Sequence, residues 1–232
     1  MARQPKKVSD QAVKDAPSVG PSSSSRFAAG EDPVKRGQIL DGAKRVFMKM
    51  GFDAASMNDV TREAGVSKGT IYVYFESKED LFAALIEREK GRFTETLRDI
   101  LADSQGVEDG LRRFGLAFAR QILTGDMIPA MRTVLGVVDR MPGVCRRFLS
   151  AAPANARTVL EEFLRRKVAE GALKSVDEEL AARQFIDLAT GTYFKLKLFN
   201  ELQSIPDKAE VEHVVDSAIY VFMSAYGPDS TA

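Results

Sequence analysis

Between Ser56 and Leu81 the sequence starts and stops helices at very short intervals. Ser56-Met57-Asn58-Asp59 has the form of a capping box, in which a serine and the acid three residues later satisfy each other's orphan backbone donors. Gly65 is the kind of residue that closes a helix, and Ser67 is placed to cap another helix two residues later. Ser77-Lys78-Glu79-Asp80 is a second capping box. The spacing predicts a short helix through Ala64, a very short one over 68–73, and a long one from Ser77. Helices this short are unstable alone in water and must pack on neighbours. Val60, Ala64, Val66 and Ile71 are spaced to face inward, which leaves Ser67, Lys68, Gly69 and Thr70 outward at the start of the second short helix.

The rest of the chain is also helical in pattern. Asp32-Pro33 provides an N-cap and a proline suited to the first helical position. Ile39, Leu40, Ala43, Val46, Phe47 and Met50 then recur on one face until Gly51. The helix from Ser77 turns Phe82, Leu85, Ile86, Phe93, Leu97, Ile100 and Leu101 inward. Further stretches lie near 107–124, 127–141, 143–171 with a break around Pro153, 177–200 and 207–226. Ile71 to Phe75 is apolar and aromatic enough for a strand, but too short and isolated. The expected class is all-α with about nine helices. Residues 1–31 contain Pro17, Pro21 and the tract Ser22 to Ser25, and are expected to be a disordered tail. Residues 32–77 are expected to form the helix-turn-helix unit, 78–226 a larger helical domain, and 227–232 a second tail.

The net charge of zero hides an asymmetry. Residues 1–75 carry 12 Lys/Arg against 8 Asp/Glu, and the remainder 21 against 25, so the first third is +4 and the rest −4. An excess at one end fits a molecule that approaches phosphates there. No run is long and apolar enough for a membrane helix, the first residues lack a signal-peptide pattern, and the single Cys145 suits a reducing cytoplasm. Enzyme chemistry finds little material. The one histidine, His213, sits in the last helix, and no Walker-type glycine loop or Cys/His zinc cluster is present. Asp177-Glu178-Glu179 reads as a helix start. No catalytic residue, metal or cofactor is expected.

Two capped helices separated by Ala64-Gly65-Val66 have the spacing of a helix-turn-helix. In that motif the first residues of the second helix meet the major groove, where the dipole and free amides also favour phosphate. Ser67 and Thr70 supply hydroxyls, Lys68 a cation for guanine or phosphate, and Gly69 close approach. Phe75 falls inward, Tyr72 lies one position off the Ile71 face with its hydroxyl available to phosphate, and Tyr74 fits either environment. Lys78 sits in a first helical turn, where the dipole disfavours a cation; a neighbouring phosphate and plain solvent both account for it.

The stretch from Arg36 to Ile86, with GAKRVFMKMGFDAASMNDVTREAGVSKGTIYVYFESKEDLFAALI, closely resembles the DNA-binding domain of TetR/AcrR transcriptional regulators. The matching features are Phe47 with Gly51-Phe52, Ser56, Ala64 to Ser67, Gly69 to Tyr72, Tyr74-Phe75 and Ser77 to Leu81. The resemblance implies a homodimer whose recognition helices enter successive major grooves of a pseudo-palindromic operator. It also implies that Ser56, Asn58, Lys68, Thr70, Tyr72, Tyr74 and Lys78 occupy DNA-contacting positions; Arg36, Ser67 and Gly69 complete the candidate set. Asn58 stands where relatives often carry a basic or hydroxyl residue.

From Met131 to Leu198 the chain looks like the AefR-like subgroup, which implies a ligand-sensing and dimerising domain. Candidate interface residues are Phe185, Leu188, Thr192 and Leu196 on one helix and Val211, Val215, Ala218, Ile219 and Phe222 on the last, where ordinary intrachain core is the competing explanation. Candidate cavity residues are Phe93, Phe114, Phe118, Met127, Met131, Leu135, Phe163 and Tyr193, with Arg120, Arg132 or Tyr193 as the polar contact. The expected function is a repressor released by a small amphipathic or aromatic ligand, controlling efflux or catabolic genes. The alternatives are an architectural DNA binder without effector, and an enzyme.

Overall fold

The computed structural model describes residues 30–140 and 155–228, together with Met1, Ala28, Pro142 and Gly143. Cys145, the expected break near Pro153, nearly all of the tail placed at 1–31 and the last four residues lie outside them. The described residues form nine helices and no strand: α1 (Pro33–Met50), α2 (Met57–Ala64), α3 (Lys68–Tyr74), α4 (Lys78–Ala102), α5 (Val107–Thr124), α6 (Met127–Val137), α7 (Ala156–Ala169), α8 (Glu178–Leu198) and α9 (Lys208–Tyr226).

Side-chain caps set most of the helix starts. The Asp32 carboxylate accepts from the amides of Val34 (2.9 Å) and Lys35 (3.2 Å). Ser56 and Asp59 form the reciprocal capping box. At α4 the Ser77 hydroxyl accepts from the Asp80 amide at 3.1 Å, but the Asp80 carboxylate takes the amide of Glu76 (3.3 Å), so the second box closes one residue early. A further box, Asn155 with Thr158, opens α7. Gly65 ends α2 in the left-handed region (φ 63°), where a β-carbon is strained.

Two large apolar cores and a smaller one, around Ile122, Leu123, Ile128 and Tyr193, organise the described residues. The first gathers Ile39, Leu40, Val46 and Phe47 of α1, Val60 of α2, Ile71 of α3, Phe75, and Leu81, Phe82, Leu85 and Ile86 of α4. Phe47, Phe52 and Phe82 form an aromatic triangle with centroids 4.9–5.7 Å apart. Val134 and Val137 of α6 enter this core from the other half of the chain. The second core joins the end of α4 to α5, α7, α8 and α9 through Leu97, Leu111, Phe114, Leu160, Phe163 and Phe185. Helix α4, about 37 Å long at 1.5 Å per residue, belongs to both.

This packing corrects part of the interface assignment. Phe185, Val215, Ala218, Ile219 and Phe222 are buried within the chain, with Phe185 meeting Phe222 edge-on at 5.7 Å. Their stripe faces inward because α9 packs on both α5 and α8. Leu188, Thr192 and Leu196 are exposed on α8, and Val211 is half-buried. On α9 the exposed large apolar side chains are Tyr220 and Val221, neither of which was in the expected stripe.

Candidate nucleic-acid interface

Helices α2 and α3 are held rigidly from behind. The Gln38 side-chain amide of α1 donates to the Ala64 carbonyl at 2.6 Å, and Arg45 pairs with Glu63 at 2.5 Å. Ile71 is wholly buried, so α3 is fixed by its inner face and presents its first turn outward. There the Ser67 hydroxyl accepts from the Thr70 amide at 3.0 Å and shares a hydrogen bond with the Thr70 hydroxyl at 2.7 Å. Lys68 and Gly69 are exposed and Thr70 half-buried. Tyr72 keeps 45% of its surface, whereas Tyr74 is half-buried against the first core. Ser56 and Asn58 are exposed at the start of α2, with the Ser56 hydroxyl donating to Asp59. The hydrogen bonds from the Ser56 side chain and backbone, with lesser help from Arg62, hold the Asp59 carboxyl below its ordinary pKa. Arg36 is exposed on α1, its guanidinium 5.2 Å from the Phe75 ring centroid.

Lys78 is placed differently from either expectation. Its ammonium donates to the carbonyls of Phe52 (2.7 Å) and Ala55 (2.9 Å), approaches that of Asp53 (3.4 Å), and lies 4.4 Å from the Phe52 ring centroid. The α1–α2 loop thus supplies the negative partner for a cation at a helix start, and the lysine ties that loop to α4. Nothing in the local sequence announces three carbonyls more than 20 residues away.

Beside the first core lies a cavity of about 1100 Å³, walled by α1, α4, α5, α6, the start of α7 and α8. Of the eight cavity candidates, Phe93, Phe118, Met127 and Met131 line it, as do Arg120 and Arg132. Phe114 and Phe163 do not: both are fully buried in the second core, where they hold helices together. Leu135 points to solvent, 53% exposed. Tyr193 is buried with Ile122, Leu123 and Ile128, its hydroxyl donating to the Glu210 carbonyl at 3.3 Å. Burial, and then the charges of Glu210 and Asp207, raise its phenol pKa.

Lys44 is one of several wall residues that sequence reasoning missed. Lys44 of α1 lies 2.7 Å from Glu89 of α4 and 2.6 Å from Asp126 at the foot of α6, so one ammonium bridges three elements. Burial opposes its charge, yet the hydrogen bonds to Asp126 and Glu89 prevail and raise its pKa. Arg88 of α4 reinforces the joint through Asp41 at 2.9 Å, and Arg140 reaches Asp53 at 3.1 Å. Among the described residues no group of His, Cys, Asp and Glu has the makings of a metal site, and no helix is long and apolar enough to cross a membrane.

Comparison with known proteins agrees with this arrangement. Residues 39–85 match the tetR family of bacterial regulatory proteins, and residues 109–228 match the C-terminal domain of AefR-like transcriptional repressors. The fatty acid metabolism regulator protein of Bacillus subtilis is 31% identical over 74 residues, 32% of this chain and 38% of that protein. The chain thus spans well under half the length of that relative. A putative TetR-family regulator from Mesorhizobium loti superposes with a TM-score of 0.76 at 22% identity, covering 84% of this chain and 97% of that one. The flavonoid-responsive regulator FrrA gives 0.68 at 28% identity, covering 85% and 99%. A helical body carrying a helix-turn-helix at one end is thus shared with two matched families, both of transcriptional regulators. The chain belongs to the TetR family of bacterial transcriptional regulators.

Proposed function

We propose that the chain is a repressor that binds a pseudo-palindromic operator as a homodimer, and that a small amphipathic or aromatic molecule in the cavity releases it. In this reading residues 32–77 read DNA, residues 78–226 bind the effector and dimerise, and the protein works in the cytoplasm. The observation that carries the reading is the outward first turn of α3, where Ser67, Lys68, Gly69 and Thr70 stand on a helix whose opposite face is sealed by Ile71. Free amides and the positive end of the helix dipole suit phosphate and base edges there. Ser56, Asn58, Tyr72 and Arg36 flank that tip as further contacts; Lys78, turned to the α1–α2 loop, acts by holding the head together.

Release requires the ligand to favour the arrangement that binds DNA less well. Lys44 supports a route for it, being both a wall of the cavity and part of α1. Aromatic ligands suit the Phe93 and Phe118 rings, which meet edge-on at 5.6 Å, and FrrA is by name responsive to flavonoids. The dimer uses Leu188, Thr192 and Leu196 with Tyr220 and Val221, exposed on α8 and α9, in a two-fold four-helix contact. The test is a gel shift on DNA flanking the protein's own gene at moderate salt, with and without candidate ligands. Failure to retard any such fragment ends the reading.

A further inference from the structure

We propose that the effector is an anionic amphiphile, with an apolar body and a carboxylate, sulfonate or phosphate head, and that Arg120 holds the head. This rests on the effector reading of the cavity given above. The wall carries seven basic side chains and three acidic ones. Two of the acids are already engaged by the protein. Glu89 is shared by Lys44 (2.7 Å), Arg88 (3.1 Å) and Arg92 (3.4 Å), and Asp126 is held by Lys44 at 2.6 Å. Neither is available to a cationic guest without breaking a pair.

The cations sort differently. Arg157 pairs with Glu161 and Glu179, and Arg183 with Glu179. Arg132 bonds to the carbonyls of Lys197 and Leu198 at the end of α8. Arg120 of α5 makes no ion pair among the described residues and is exposed, with its own turn of α5 in the wall. Asp187 of α8 is the one lining acid in the same condition. The two cancel, and the wall as a whole remains positive even when the outlying Glu161 and Glu179 are counted against Arg157 and Arg183. Lys90 adds to the bias: burial lowers its pKa, and an anion in the cavity would offset that penalty. The guest's body then lies on Phe93, Phe118, Met127 and Met131, whose thioethers adapt to irregular shapes.

The experiment uses the full chain and three probes with chains of about ten carbons, below their micelle concentrations: decanoate, decanol and decyltrimethylammonium. Binding is measured by calorimetry. Decanoate is expected to bind at least about tenfold tighter than the cation, the scale of one charge-assisted hydrogen bond. Arg120→Gln should weaken decanoate about tenfold and leave decanol unchanged, Arg120→Lys should recover most of the loss, and Asp187→Asn should not weaken decanoate. The proposal is overturned if the cation binds as tightly as decanoate, if Arg120→Gln leaves decanoate unchanged, or if none of the probes binds. A gel shift without probe on the same preparation separates the two readings. Decanoate binding without DNA retardation supports the cavity chemistry and removes the proposed repressor reading; retardation without decanoate binding overturns the cavity chemistry alone.

Discussion

A β-carbon added to Gly42 would lie 2.6 Å from the Cβ of Ala64 and 2.8–2.9 Å from its Cα and amide nitrogen. Helices α1 and α2 therefore touch almost backbone to backbone at this point, and the obstacle is not a flexible side chain that can turn away. Gly42→Ala gains about 1 kcal/mol of helix propensity but forces the two helices apart, an overpacking penalty of about 1–3 kcal/mol. The expected result is a lowered Tm in calorimetry and weaker DNA retention, because the same contact aims α3. An unchanged or raised Tm would show that the crossing yields freely.

Lys68 and Lys78 should separate cleanly in salt titrations of DNA binding. Each lysine–phosphate contact contributes about 0.9 to the slope of log affinity against log salt. Lys68→Met is expected to flatten the slope by about 1 for each protomer while leaving Tm unaffected. Lys78→Met should lower Tm by losing its carbonyl bonds, a destabilisation of about 1–3 kcal/mol, and leave the slope alone. The reverse pattern would return Lys78 to the DNA surface.

Acid should weaken the start of α2 first. Hydrogen bonds from Ser56, then the charge of Arg62, keep the folded-state pKa of Asp59 below its unfolded value near 3.8. A depressed carboxylate contributes stability above the unfolded pKa and loses it as pH falls through the folded one. The Tm difference between the native chain and Asp59→Asn should hence be constant near neutrality and shrink below about pH 4. A difference that persists at pH 2 would place the effect elsewhere.

The outer face of α8 and α9 can be tested by charge. Leu188→Arg and Tyr220→Arg introduce cations where the exposed side chains are 44% and 75% accessible, so the fold of a single chain should survive. Sedimentation should show the pair of substitutions converting dimers to monomers. Continued dimerisation would remove these two helices from the interface.

The helices were largely legible in the sequence because caps and apolar period are local signals. Ser56, Ser67 and Ser77 each mark a start that the structure contains. What periodicity reports is a buried face, and it is silent on who buries it. The Val215–Phe222 stripe looked the same whether its cover was a second copy or, as found, helices of its own chain. Phe114 and Phe118 differ by one turn of α5, yet the first is core and the second also borders the cavity. Lys44 and Lys78 were unreadable for a different reason. Their partners lie between 23 and 82 residues away, at positions that only the packed chain brings within bonding distance.

Helix α6 spans eleven residues, with Met127 and Met131 bordering the cavity and Val134 and Val137 buried in the first core. A rod so short has no hinge of its own. On the proposed reading, a guest that tilts its first turn also displaces its last turn, so the bulk of the guest is felt in the first core, where Val134 and Val137 are seated. Response should then track guest size at the α6 end as well as affinity, and a tightly held molecule too slim to tilt the rod would occupy the chamber without a message being sent.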